Sequence, residues 1–255
     1  MPSSGLVLTP LTGIKLVEPG DDLGEIAVSA LGANRLMPET GDVLVVAQKI
    51  VSKAEGRYIA VTTVEPSERA IALGAEVDKD PRFVEVVLSQ SRRVVRHRPG
   101  LLIVEHRLGF VMANAGIDHS NLPRQGGERV LLLPEDPDGS ARALREQLFR
   151  AFGTHIAIII CDSFGRAWRK GTVGIALGAA GLPALIDLRG QLDLFGHELL
   201  VTETGFADEI AAAAGLVMGQ ADEAVPMVLI RGLRWSAPEV AAAALIRPAE
   251  HDLFR

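Results

Sequence analysis

The sequence predicts a mixed α/β or α+β fold, with buried mixed sheets and flanking helices, from three observations. Short apolar runs rich in β-branched residues are bounded by turn signals, and most are continuous rather than alternating, as in strands buried on both faces. Helical stretches with readable caps interleave with those runs, but without a strict βαβ alternation. The 255 residues are 48% hydrophobic and 23% charged, enough to bury a full core in one large domain or two small ones.

In chain order, residues 21–32 begin with acids and end on Gly32, as the helix dipole and C-cap preferences require. Residues 42–47 form the first buried strand. Residues 66–77 form a helix with Pro66 at a first-turn position. Strands follow at 101–105, 110–114 and 130–133, the last two separated by the polar stretch 119–129, read as an internal loop. The turn Asp136-Pro137-Asp138-Gly139 leads into a helix over 140–152 with Ser140 as N-cap. Residues 156–161 are the most apolar strand. Gly171, Gly174, Gly178 and Gly181 are spaced like one face of a helix closely approached by another backbone. A strand at 198–202, an alanine-rich helix over Phe206–Met218 and a strand at 227–230 follow. Ser236-Ala237-Pro238-Glu239 is a capping box that opens a last helix, and 247–255 form a patternless tail.

Composition removes several classes of function. No apolar run approaches the ~20 residues of a membrane helix, and the first ten residues lack an export signal, so a cytoplasmic enzyme is expected. The single cysteine, Cys161, excludes an internal disulfide framework and reads as core rather than nucleophile. A net charge of −6 argues against a nucleic-acid surface. A Walker phosphate loop and the Gly-x-Gly-x-x-Gly fingerprint are both missing, and His197-Glu198 lacks the second histidine of a zincin.

The sharpest local feature is the strand 156–161 running into Asp162-Ser163-Phe164-Gly165-Arg166-Ala167-Trp168-Arg169-Lys170. Ligands in open sheets bind beyond the carboxyl ends of parallel strands, which is where these residues fall. Asp162 either holds a hard cation through oxygen or caps the turn and pairs with Arg166 or Arg169. Asp118, at the end of another apolar stretch, either joins it on shared metal ions or forms an Asx turn. Lys49 and Lys53, four apart after a strand, suit a polyphosphate or a solvated helix. The basic run Arg92, Arg93, Arg96, His97, Arg98 reads first as a solvent-facing surface and second as a binding surface for an anionic substrate.

Taken together, these stretches resemble the coenzyme F-420:L-glutamate ligase family, the γ-glutamyl ligases that extend the tail of a deazaflavin coenzyme. The resemblance rests on Leu11-Thr12-Gly13-Ile14, Gly41-Asp42-Val43-Leu44, Val51-Ser52-Lys53-Ala54-Glu55-Gly56 and Asn114-Ala115-Gly116-Ile117-Asp118 with Ser120-Asn121. It continues through Asp162-Ser163, Gly165-Arg166, Val201-Thr202-Glu203, Ala207-Asp208-Glu209-Ile210-Ala211-Ala212 and Val228-Leu229-Ile230-Arg231-Gly232, in the family's order.

The resemblance implies a γ-glutamyl ligase-like fold, a ligase domain over residues 1–235 and a C-terminal helix and tail over 236–255 without the nitroreductase-like domain of the fused relatives. It implies two divalent ions, Mg²⁺ or Mn²⁺, on Asp118, Asp162, Ser163 and Gln220, where Gln220 replaces a Glu of some members and should bind its ion more weakly. GTP contacts are expected from Ile14, Lys15, Leu16, Val17, Gln48, Lys49, Lys53, Asn121 and the segment Met218, Gly219, Gln220, Ala221, Asp222, Glu223, Ala224, Val225. Some members also use K⁺, and members are homodimers. Substrates would be GTP, L-glutamate and the deazaflavin precursor, joined through an acyl phosphate. Arg166 and Arg169 are expected to meet the transferring phosphoryl group or the acceptor's phosphodiester.

Overall fold

The computed structural model describes residues 5–118 and 128–253. Its centre is a five-stranded sheet built from β1 (Val7–Pro10), β2 (Val43–Ala47), β8 (Ala157–Arg166), β9 (Arg169–Ala180) and β12 (Met227–Arg231), in the order β1-β12-β2-β8-β9. Only β2 and β8 run parallel; every other neighbour is antiparallel. The continuous apolar runs have a direct structural cause, because alternate residues serve two cores. Leu44, Val46, Ile158 and Ile160 pack under helices α1 (Leu23–Ala33), α2 (Gln48–Ala54) and α5 (Pro137–Phe152). Val43, Val45, Ile159 and Cys161 face α6 (Phe206–Met218). Each such aliphatic side chain, fully buried, stabilises the fold by about 1.5–3 kcal/mol.

A second cluster surrounds α3 (Glu68–Val77) and α4 (Pro81–Ser89). It includes the antiparallel pair β3 (Tyr58–Ala60) and β7 (Arg129–Leu131) and the three-stranded sheet β4 (Ser91–Arg98), β5 (Leu101–His106), β6 (Val111–Ala113). A short pair, β10 (Ile186–Asp187) with β11 (Glu203–Thr204), closes an excursion over residues 188–202. A buried ion pair locks the central sheet. Asp42, 1% exposed, accepts from Arg231 Nε at 2.9 Å and Nη2 at 2.7 Å, tying the entry of β2 to the exit of β12.

The mixed fold is as the sequence predicts, and several boundaries differ for physical reasons. The glycine run 171–181 is a strand, not a helix face. The expected close approach is nevertheless there: a Cβ on Gly174 would lie 2.4 Å from the carbonyl oxygen of Ala211, and one on Gly178 would lie 2.2 Å from that of Pro137. The strand at 156–161 does not end at Asp162 but runs on to Arg166, because β9 pairs with it throughout. Helix α5 begins at Pro137, capped by the Asp136 carboxylate rather than by Ser140. Pro66 stands outside α3, which Ser67 caps, and α1 runs through Gly32 to close on Asn34. The strand expected at 198–202 reduces to a bridge at Glu198, with pairing resumed only at Glu203–Thr204. The capping box at 236–239 opens no α-helix. Glu239 is drawn away to accept from Gly181 N–H at 2.8 Å, Val240 bridges Pro183, and only a 3₁₀ turn, Ala242–Leu245, follows.

Candidate active site

The parallel register Ala47↔Cys161 delivers Gln48-Lys49 and Asp162-Ser163 side by side at one end of the sheet. Antiparallel β12 begins at the same end, where Ala47 N–H donates to Pro226 O at 2.8 Å, so the segment after α6 arrives there too. Strand β1 leaves there, with Leu11 N–H donating to Met227 O at 2.9 Å, and brings residues 14–17. These segments line one cleft of about 380 Å³, within the usual size of small-molecule sites. The predicted residues Ile14, Lys15, Leu16, Val17, Gln48, Lys49, Lys53, Asp162, Ser163 and Met218 through Val225 all face it.

A local irregularity sets the floor of the cleft. Between Ile160↔Gly178 and Cys161↔Ala176 the register slips by one residue, a bulge of the kind that re-aims side chains beside sites. It frees the Ala176 N–H, which donates to Asp208 Oδ1 at 2.8 Å and so fastens the first turn of α6 to β9. Gly174 then lets the α6 backbone close over the strand.

Electrostatics concentrate on two carboxylates and two lysines. Asp118 is held by both backbone bonds of its bridge to Leu131, each 3.0 Å, and its Oδ2 lies 2.6 Å from Lys49 Nζ. Asp162 is pushed up to about 6, first by burial and also by the nearby charge of Asp118, against the Ser163 N–H and Lys49 that favour its ionised form. Burial, followed by Lys49, lowers Lys53 below the ordinary lysine value. Asp162, Ser163 and Gln220 line the cleft and offer oxygen donors of the kind a hard divalent cation takes, and Asp118, paired with Lys49, is near enough for its charge to act on Asp162. Among the described residues no cluster of three His, Cys, Asp or Glu forms, so such an ion would draw on Ser163 and Gln220 as well as the two acids.

Other predicted residues fall elsewhere. Asn121 lies outside the described residues. Arg166 and Arg169 face each other at the exposed tip of the β8–β9 hairpin and do not line the cleft. The basic run lies on β4, where Arg93 and Arg92 reach Glu105 at 2.8 and 3.6 Å and His97 lies 3.6 Å from Glu76. Cys161 borders the cleft, but burial pushes its thiol up to about 12, so it stays protonated.

Sequence reasoning picked out Asn114-Ala115-Gly116-Ile117-Asp118 as a family motif but missed its backbone conformation. Asn114, Ala115 and Gly116 have φ of 50°, 54° and 67°, three successive left-handed residues that turn the chain toward the acid. Only the glycine at 116 signals this. Gly215 and Pro226 also line the cleft with no motif to announce them, and Ala211, inside the family motif 207–212, lines it as well.

Comparison with known proteins identifies the family. Residues 13–232 match the family model for F420-0:Gamma-glutamyl ligase. The chain is 45% identical over 255 residues to the coenzyme F420:L-glutamate ligase of Methanopyrus kandleri, covering 98% of each chain. It is 43% identical to that of Methanothermobacter thermautotrophicus, over 98% of this chain and 99% of the relative. The Archaeoglobus fulgidus ligase is 42% identical, over 96% and 95% respectively. With residues 13–232 matched by the family model and relatives at 42–45% identity over nearly the whole chain, the chain belongs to the F420-0:gamma-glutamyl ligase family.

Proposed function

We propose that this protein joins L-glutamate to F420-0, the glutamate-free deazaflavin precursor, at the expense of GTP, and that residues 1–235 carry the reaction. The observation that carries the reading is the convergence of Lys49, Lys53, Asp162, Ser163 and Gln220 on one cleft, with Asp118 on Lys49. The names of the relatives support L-glutamate and the F420 precursor as substrates.

An amide does not form from a carboxylate and an amine in water unless the carboxylate is activated. The terminal carboxylate of the acceptor attacks the γ-phosphorus of GTP, GDP leaves, and an acyl phosphate results. The glutamate amine then attacks the acyl carbon, phosphate leaves, and the amine proton passes to solvent. Lys49 and Lys53 neutralise the polyphosphate; Lys53 is suited to this because an anion restores the charge that burial disfavours. Ile14, Val17, Ile50 and Ala211 wall the cleft with apolar groups, which limits water and protects the acyl phosphate from hydrolysis. Asp118, Asp162, Ser163 and Gln220 would hold Mg²⁺ or Mn²⁺, which when bound spreads the charge of the transferring phosphoryl group. K⁺ is a further expected requirement.

The protein is proposed to act as a homodimer. The excursion 188–202 exposes Leu192, Leu194, Phe195, Leu200 and Val201, an apolar surface that water alone does not suit.

The test is the dependence of GDP release on both carbon substrates. Release that requires F420-0 and glutamate together, and that falls by at least about 10²-fold in Asp118→Asn, is expected. GDP release independent of glutamate would replace the ligase with a phosphohydrolase.

A further inference from the structure

The β8–β9 hairpin continues past the cleft. Ser163 and Gly174 line the cleft opposite each other, and the ladder then runs through Phe164↔Val173 and Gly165↔Thr172 to Arg166↔Arg169, about 10 Å further along the strand. The tip is unusual in three ways. Trp168 is 87% exposed in a chain whose aromatic content is only 4%. Its φ is +65°, a left-handed conformation that a tight turn would ordinarily give to glycine or asparagine. Arg166, Arg169 and Lys170 surround it, all exposed, and among the described residues none of the three pairs with a carboxylate. An acidic protein thus carries an exposed indole and three cations without a carboxylate partner on a strand ladder that starts in its own cleft. The tip itself is braced by Arg166 Nη2 donating to Lys170 O at 3.2 Å.

A group that matches such a tip is flat, aromatic and anionic, and its other end must reach the cleft. The acceptor has that form, with a ring at one end, the carboxylate to be activated at the other, and a phosphodiester chain between. Resting on the functional reading above, we infer that the hairpin tip is an outlying acceptor subsite. Trp168 stacks on the ring, and Arg166, Arg169 and Lys170 take the phosphodiester. This places both arginines on the acceptor rather than on the transferring phosphoryl group.

The experiment is steady-state kinetics with F420-0 varied at saturating GTP and glutamate, and then with GTP varied. Trp168→Ala should raise KM for F420-0 about tenfold and leave KM for GTP in place, while Trp168→Phe, which keeps a stacking face, should stay within about twofold. The double variant R166A/R169A should raise KM for F420-0 and flatten its dependence on salt. A KM for F420-0 within about twofold of the parent in Trp168→Ala overturns the inference while leaving the ligase intact. So does an equal rise in KM for GTP, or a rise that coincides with dissociation of the protein in sedimentation. A parent enzyme that makes no glutamylated product overturns the functional reading and this inference with it.

Discussion

His106 shows how a residue far from any motif sets a measurable property. It is 1% exposed, its Nδ1 accepts from Leu108 N–H at 3.0 Å, and burial with Arg107, Arg57 and Arg92 nearby pulls its pKa down to about 4. The folded state therefore keeps it neutral where the unfolded chain, titrating near 6.5, takes up a proton. Stability from this group is fully present above about pH 6.5 and is lost as pH falls toward 4, by about 2–3 kcal/mol. Urea midpoints measured between pH 7 and 4 should fall more steeply for the parent than for His106→Asn; parallel curves would contradict this. At the same scale the sequence was partly legible. Asp118 and Asp162 could be singled out because each closes an apolar stretch and both fall in the family motifs. The left-handed turn at Asn114–Gly116 was not, since Asn and Ala there are compatible with ordinary backbone.

At the scale of elements, β9 shows why local pattern misleads. Glycines three and four apart suit a helix face, yet here they serve two different approaches to one strand: Gly178 admits the first turn of α5, and Gly174 admits α6. Only long-range packing separates the two readings. Each contact is with backbone, which has nowhere to move. Gly178→Ala should cost about 2–3 kcal/mol in chemical denaturation. Gly174→Ala should also lower activity, because α6 leads into the segment 218–226 that closes the cleft. An unchanged denaturation midpoint for Gly178→Ala would refute the packing account. The last predicted helix failed for a related reason: the side chain that would have completed its capping box, Glu239, is engaged by Gly181, and the amides of Ala242 and Ala243 are taken by Asp138.

At the scale of the whole molecule, the mixed fold was readable from the apolar runs, because a sheet covered on both faces leaves that signature. The meeting of four distant segments at one sheet end was not, since nothing local encodes that β12 runs antiparallel to β2 while β8 runs parallel. The ordered set of family motifs carried that information instead. The exposed excursion 188–202 belongs to this scale too. Sedimentation should show a dimer, and the double variant L194D/F195D should shift it to monomer; a parent that is monomeric at micromolar concentration would remove the proposed role of this surface.

The central claim, that the cleft activates an acceptor carboxylate for attack by glutamate, is tested most directly by mass spectrometry of F420-0 after incubation with enzyme, GTP, Mn²⁺ and L-glutamate. Products heavier by one or more glutamyl residues, formed only when GTP is present, are predicted. Unchanged F420-0 alongside accumulating GDP would contradict the claim, leaving a nucleotide hydrolase in the same cleft.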